Sequence, residues 1–450
     1  MKIQDKINKN IKDNLLYFLG IFTYVVFLYF QNYEVLHYGR YFAEEGSIFW
    51  SYSLTNNFFD TLFFVDVMTG YYSFNTNVQI VLTKFLNIRY GPLFTTWTSL
   101  FISFLPSILY FSLNKNVLNT QKRILISFIL LTLPSLNFLE VFANSINSKT
   151  YLGIASLILL LYGFKDSSSY FFQNFIILIA FMSSYYSIVL APLFFIRLLI
   201  EKNKNLIYVI FFGILSGIIH LNVLIFSINN KFLYDDKFIN KNSFEYILEI
   251  LRKSILINLV GEKNFQTESI GLLAYLFLLF IFLALLFLKS NYGKIGYIIL
   301  SYLIQLFLLN FGQIGLVFNQ RYAVVISTTF FLLVIKLFEN KKFPTIFIAF
   351  YLILCIGFLN QRQSVYFAVC DRYCYSWPQQ VEDAKNGKLS EYIHWPIGEG
   401  DPYWTTDFKN PVINPAPFQK TSLGDDYVSN ASITLKDIFF ENIYLLIGSK

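Results

Sequence analysis

Long apolar runs, separated by short polar and mostly basic stretches, dominate the chain. They fall near residues 15–30, 92–113, 122–139, 150–163, 170–182, 185–200, 206–228, 269–289, 295–310, 320–338 and 343–359. Several are shorter than the roughly 20 residues that cross a bilayer, so their ends must extend into flanking Tyr, Asn and Ser. The stretch 170–200 reads either as one long helix or as two short legs. The SSYYS at 183–187 and Pro192 favour two legs with a break between them. The pattern predicts an all-α polytopic membrane protein of about 11 transmembrane helices, spanning residues 1–359, followed by a small polar region, 360–450.

Charge placement tests that reading. With the N-terminus in the cytoplasm, the inner segments 1–14, 114–123, 164–169, 197–205, 289–294 and 336–342 carry 4, 3, 1, 3, 2 and 3 Lys or Arg. The short outer segments 140–150, 183–187 and 311–319 together hold only Lys149. Every alternate loop obeys the positive-inside rule, and an odd number of spans puts the C-terminal region outside. The basic start, MKIQDKINKNIKDN, followed by Leu15–Phe30, resembles a signal peptide. It lacks a small-x-small cleavage site and reads as a retained first helix.

Composition agrees. Charged residues make up only 14% of the 450 and apolar ones 55%, too few charges to cover a water-facing shell of this size. The net charge of +7 belongs to the inner loops and does not indicate nucleic acid. Of three Cys, Cys355 lies in an apolar run. Cys370 and Cys374 are too sparse for a zinc cluster but could pair as a disulfide on an oxidising face.

Three outer regions are long. The first, about 31–91, contains HYGRYFAEEGSIFW and reads as short helices along the membrane surface. The second, about 229–268, contains an amphipathic helix with Asn242 and Glu245 as its cap and Phe244, Ile247, Leu248, Leu251 and Ile255 as its stripe. The third, from Asn360, holds Trp377, Trp395 and Trp404, and its size implies that it leans on the helix bundle. There is no internal repeat, which counts against a transporter built from inverted halves.

Carboxylates are scarce in the helices, which draws attention to Glu44 and Glu45. They are either a solvated loop pair or a general base whose pKa is pushed up by its neighbour near the bilayer surface. Arg40 and His37 precede them, placed to pair with the acids or to contact a phosphate. Arg321, with Tyr322 beside it at the outer end of the tenth span, is either an interface anchor or a phosphate clamp. Lys149 is a second candidate for that task. Asn144 and Asn147 either form a turn or hydrogen-bond sugar hydroxyls. No Walker motif or His-rich or Cys-rich cluster occurs. His220 reads as a helix–helix contact, and Asp235 and Asp236 could hold a divalent cation with Glu44 or Glu45.

RYFAEEGSIFW resembles the acidic motif in the first extracytoplasmic loop of the GT-C superfamily of membrane glycosyltransferases. In bacterial members that motif often reads Glu-Asp-Gly followed by aromatics, whereas the second acid in this chain is Glu45. TGYYSF at 69–74, including Tyr71, looks like the Gly-Tyr element that follows it. EVFANSINSKTYLGIASLILLL at 140–161, FMSSYYSIVLAPLFFIRLL at 181–199, Trp377 and the HWP at 394–396 are similar to further segments in order and spacing. The resemblance implies a polyprenyl-phosphate-linked sugar donor and a glycan, lipid or protein acceptor. It places the reaction on the outer face of a bacterial cytoplasmic membrane, as a step in polysaccharide or cell-envelope biosynthesis. It implies that Glu45 or Glu44 is the base of an inverting transfer, with no certain cofactor. An O-antigen-type polysaccharide polymerase and a non-enzymatic flippase of lipid-linked glycans are the competing readings. The first would place its key residues in the second and third outer loops, and the second would bury charges at mid-bilayer.

Overall fold

A computed structural model describes residues 2–41, 45–67, 70, 72–113, 118, 120–137, 143–164, 169–230, 292–312, 323–338, 376–388, 391–393, 405–407 and 433–439. Glu44, Tyr71, Arg321, Tyr322, Asp235, Asp236, His394 and all three Cys lie outside the described residues. So do the predicted amphipathic helix at 242–255 and the expected spans at 269–289 and 343–359.

The described chain is mostly helical. In order come α1 (Lys2–Gln31), α2 (Tyr33–Tyr38), a π-helical turn (Glu45–Trp50), α3 (Ser51–Thr55), α4 (Phe58–Leu62) and β1 (Phe64–Val65). Next are α5 (Phe74–Thr83), α6 (Gly91–Leu113), α7 (Thr120–Asn137), α8 (Ser148–Tyr162), α9 (Tyr170–Ser183), α10 (Tyr185–Ile188), α11 (Ala191–Glu201) and α12 (Leu206–Asn229). The described remainder comprises α13 (Tyr292–Gly312), α14 (Ala323–Phe338), α15 (Trp377–Lys385), β2 (Glu391–Ile393), β3 (Thr405–Asp407) and β4 (Ile433–Thr434).

Three helices, Ile11–Gln31, Ile88–Leu113 and Leu206–Asn229, are long and apolar enough to cross a membrane. Their outward faces suit lipid: Leu15, Phe18, Leu19 and Phe22 on α1, and Ile207, Phe211, Ile214 and Leu221 on α12, are all exposed. In water such a belt would drive aggregation.

The helix α8 is the axis of the bundle, with every residue from Ser148 to Tyr162 buried. It packs against α6, α9, α10 and α14. Gly153 permits the approach of α10, since a Cβ there would stand 2.8 Å from Cβ of Tyr186. Small residues on α6 draw in other elements. Ser99 Oγ donates to Gln79 Oε1 on α5 at 3.1 Å, and Ser107 Oγ is 2.6 Å from the Tyr17 hydroxyl on α1.

The predicted break in 170–200 is present. The chain turns by 119° between α9 and the following leg, through an extended Ser184. Pro192 is not the break; it sits in the first turn of α11, where a missing N–H costs nothing.

At the other end of α8 the chain turns at Gly163 and Phe164. Gln173 Oε1 accepts from Phe164 N–H at 2.6 Å, and Asn203 Nδ2 donates to Phe164 O at 2.6 Å. Arg197, only 1% exposed, donates to Leu160 O at 2.7 Å, Gly163 O at 2.9 Å and Leu159 O at 3.1 Å. A cation thus closes the C-terminus of α8, where the peptide dipoles present partial negative charge.

The first long loop forms the short helices that its sequence suggests. Its π-helical turn, much of α3, and β1 are buried, and Ile48, Phe49, Trp50, Tyr52 and Phe64 form one apolar cluster with Ile80, Ile146, Trp377 and Val381. Described pieces of the C-terminal region pack against this loop. Indole N–H of Trp377 donates to Ile88 O at 2.8 Å. Strand β4 pairs antiparallel with β1, Phe64 opposite Thr434 and Val65 opposite Ile433. Strands β2 and β3 form an antiparallel pair, and β3 lies against the π-helical turn.

Candidate functional site

The approach to the acidic motif is set by Gly39. It ends α2 at φ +73°, and a Cβ there would meet the Leu93 backbone nitrogen at 2.1 Å. Glycine alone allows both the left-handed turn and this contact. The turn seats Arg40 on the start of α6, with Arg40 N–H donating to Thr96 Oγ1 at 3.3 Å. Arg40 is 4% exposed and Glu45, first residue of the π-helical turn, is fully buried. Turns of this wide type are uncommon and recur at functional sites.

Tyr41 lies between them. Its ring stacks on Trp50 with centroids 5.1 Å apart and meets Trp377 edge-on at 5.2 Å. Burial holds the Tyr41 hydroxyl protonated well above its ordinary range; a hydrogen bond with Thr83 opposes this, and the nearby Glu45 carboxylate reinforces it. Glu45 therefore sits in a shielded setting beside a phenol that remains a hydrogen-bond donor.

Below this cluster, α5 carries a concentration of buried amides and hydroxyls. Asn75 bridges three elements: its backbone N–H donates to Ser183 Oγ at 2.8 Å, and its Nδ2 to Ser148 Oγ at 2.5 Å and Ser145 O at 3.4 Å. Asn77 Nδ2 secures the loop by donating to Phe64 O at 2.7 Å and Leu62 O at 2.9 Å. Asn144 is a turn former, its Oδ1 accepting from Asn147 N–H at 2.9 Å. Asn147 and Lys149 follow and are buried, 3% and 7% exposed.

His37 lies apart from this group. It is exposed, stacked on Tyr33 at 4.7 Å, with Nδ1 2.8 Å from the Tyr29 hydroxyl. His220 is a structural contact, as expected, but it also reaches the first loop. Its Nδ1 accepts from Tyr72 N–H at 3.3 Å, and the opposite nitrogen, Nε2, lies 3.0 Å from Phe181 O. These partners assign a neutral ring with the proton on Nε2.

The π-helical turn that Glu45 opens packs against α5, and Asn147 and Lys149 flank Ser148, whose Oγ accepts from Asn75 on the same helix. Asn75, Gln79, Ser183 and Ser184 were not singled out from sequence. Their signal was the polar run SFNTN at 73–77 and the serines of SSYYS, conspicuous between apolar segments. Among the described residues no group of His, Cys, Asp and Glu is arranged to hold a metal ion. No family model, curated protein or solved structure matches the chain.

Proposed function

We propose that the protein is a membrane glycosyltransferase that moves a sugar from a polyprenyl-phosphate carrier to a glycan, lipid or protein acceptor. In this reading the chain makes eleven spans in a bacterial cytoplasmic membrane, N-terminus inside and C-terminal region outside. The first loop then lies on the extracytoplasmic face. The observation that carries the reading is Glu45: a carboxylate with no exposed surface, opening a π-helical turn beside Tyr41 and close after the buried Arg40. A merely solubilising loop acid would be in water.

Glu45 takes the proton from the acceptor hydroxyl as its oxygen bonds to the anomeric carbon. The bond from that carbon to the phosphate oxygen breaks, and its electron pair leaves with the polyprenyl phosphate, inverting the configuration. Arg40, Lys149 and, from the sequence, Arg321 with Tyr322 supply positive charge and a hydroxyl for the departing phosphate. Burial of the carboxylate among aromatic rings keeps water from intercepting the anomeric centre.

The test is Glu45→Gln and Glu44→Gln, made separately and assayed for transfer from a polyprenyl-phosphate sugar with purified protein in liposomes. Loss of transfer by more than about a hundredfold in Glu45→Gln, with unaltered membrane insertion, is expected of a missing general base. Full transfer by both variants removes the mechanism. Glycan movement across the bilayer without any transfer, unaffected by either substitution, turns the reading towards a flippase.

A further inference from the structure

Four polar side-chain atoms around Asn75 are buried and make no hydrogen bond among the described residues: Ser145 Oγ, Ser184 Oγ, Ser187 Oγ and Gln79 Nε2. Their residues are each 1% exposed or less. They come from three elements that Asn75 ties together. Ser145 O and Ser148 Oγ accept from its amide, Ser183 Oγ from its backbone N–H, and Gln79 lies one turn further along α5. A buried polar group without a partner costs about 1–3 kcal/mol, and native proteins keep few of them. Four in the neighbourhood of Asn75 are groups that a bound molecule would satisfy.

Their chemistry defines that ligand. Three are hydroxyls, which donate and accept, and one is an amide that donates, so none demands a charged partner. Beside them at the break stand Tyr185 and Tyr186, ring centroids 4.1 Å apart. Aromatic rings next to several buried polar groups suit the apolar face and hydroxyl edge of a sugar ring. We infer that the break between α9 and α10, with Ser145 and Gln79, which Asn75 ties to it, is a binding site for the hydroxyls of a hexose ring. The inference deepens the transferase reading by assigning its sugar subsite to residues other than the acid motif.

A ligand site and a purely structural cluster respond with opposite signs. Replacing a buried hydroxyl that makes no hydrogen bond among the described residues removes a desolvation penalty, so Ser184→Ala and Ser187→Ala leave the thermal midpoint unchanged or raise it. If the serines hold a sugar, the same variants weaken its binding. The probe is free glucose, mannose and galactose, followed by saturation-transfer NMR on full-length protein in a detergent without a sugar headgroup. The wild type is expected to show saturable binding of at least one hexose below about 100 mM, a range that captures millimolar affinities. Binding is expected to weaken about tenfold in Ser184→Ala, Ser187→Ala and Gln79→Leu, the size of one lost hydrogen bond. It should be retained in Glu45→Gln. The absence of saturable binding in the wild type, or binding unchanged in all three variants, overturns the inference and leaves internal water as the occupant. Hexose binding that depends on the serines, in a protein that transfers no sugar, sinks the transferase reading and leaves the site standing.

Discussion

Replacing Arg197 by Met is expected to destabilise the bundle far more than any change to its salt-bridge partner. The guanidinium is 1% exposed and donates to three carbonyls at the end of α8, at 2.7, 2.9 and 3.1 Å, while Nε pairs with Glu201 at 2.9 Å. Leu159 O also accepts from Gly163 N–H, so the loss concentrates on Leu160 O and Gly163 O. A hydrogen bond to a charged group contributes about 1.5–3 kcal/mol. Methionine keeps much of the apolar stem but offers no donor, which puts the net loss at about 3–5 kcal/mol. Glu201 is 43% exposed and four residues away on the same helix, so Glu201→Gln should cost only about 0.3–0.5 kcal/mol. Arg197→Lys keeps the charge but not the planar fork, and falls between the two. Equilibrium unfolding in mixed detergent micelles measures all three. Equal losses for Arg197→Met and Glu201→Gln would mean that the ion pair, not the cap, is what matters, and would refute the reasoning.

Other expectations follow from the same geometry. Gly39→Ala combines a left-handed φ of +73° with a clash against the Leu93 backbone; it should lower the melting midpoint and, on the transferase reading, abolish transfer by displacing Arg40. Trp377→Ala removes a buried indole wedged against Tyr41 and Trp50, together with its bond to Ile88 O. The cost should be about 3–5 kcal/mol, read as faster proteolysis of the C-terminal region in liposomes. Burial pushes the hydroxyls of Tyr41 and Tyr52 up, Tyr52 to about 12. Both stay neutral in the fold while the unfolded chain ionises near the ordinary value of 10.0. Stability should therefore be level up to that pH and fall as pH rises through the folded values, with the phenolate absorbance of both tyrosines delayed relative to the unfolded chain.

Much of this architecture was legible because lipid imposes a simple rule on sequence: long apolar runs become helices, and their ends are marked by charge and turn residues. The helices α6, α8, α9 and α12 begin and end within a few residues of the runs that announced them. Arg197 illustrates what such counting misses. By sequence it was one more inner-loop cation; in the fold it is buried and caps a helix. The burial of the first loop was not legible for a related reason. Its short helices have no long apolar face, so nothing local showed that they would be buried against Ile146 and Trp377, partners distant in the chain. The acidic motif was legible as a motif, whereas the polar layer on α5 was not, because isolated Ser, Asn and Gln carry no periodic signal.

On the transferase reading the two halves of the site make different demands on the protein, and the fold offers a different device for each. A general base needs a shielded carboxylate held in one place. The left-handed Gly39, the wide turn at Glu45 and the Tyr41–Trp50–Trp377 cluster provide that with aromatic packing. A sugar ring needs several modest hydrogen-bonding groups whose positions agree, and on the inferred site these would be the small side chains at the α9–α10 break and the Ser145 turn. Asn75 is tied to Ser183 beside the α9–α10 break and to the Ser145–Ser148 turn, and its helix also abuts the π-helical turn. A change at Asn75 should accordingly disturb both halves at once, whereas Ser184→Ala should disturb one. Asn75→Ala is expected to lower the thermal midpoint, since it strips partners from Ser148 and Ser145, and to weaken hexose binding as well. Ser184→Ala should weaken binding alone. If Asn75→Ala leaves both stability and binding untouched, α5 is not the element that joins base and sugar site, and the two would have to be treated as unrelated features of the same end of the bundle.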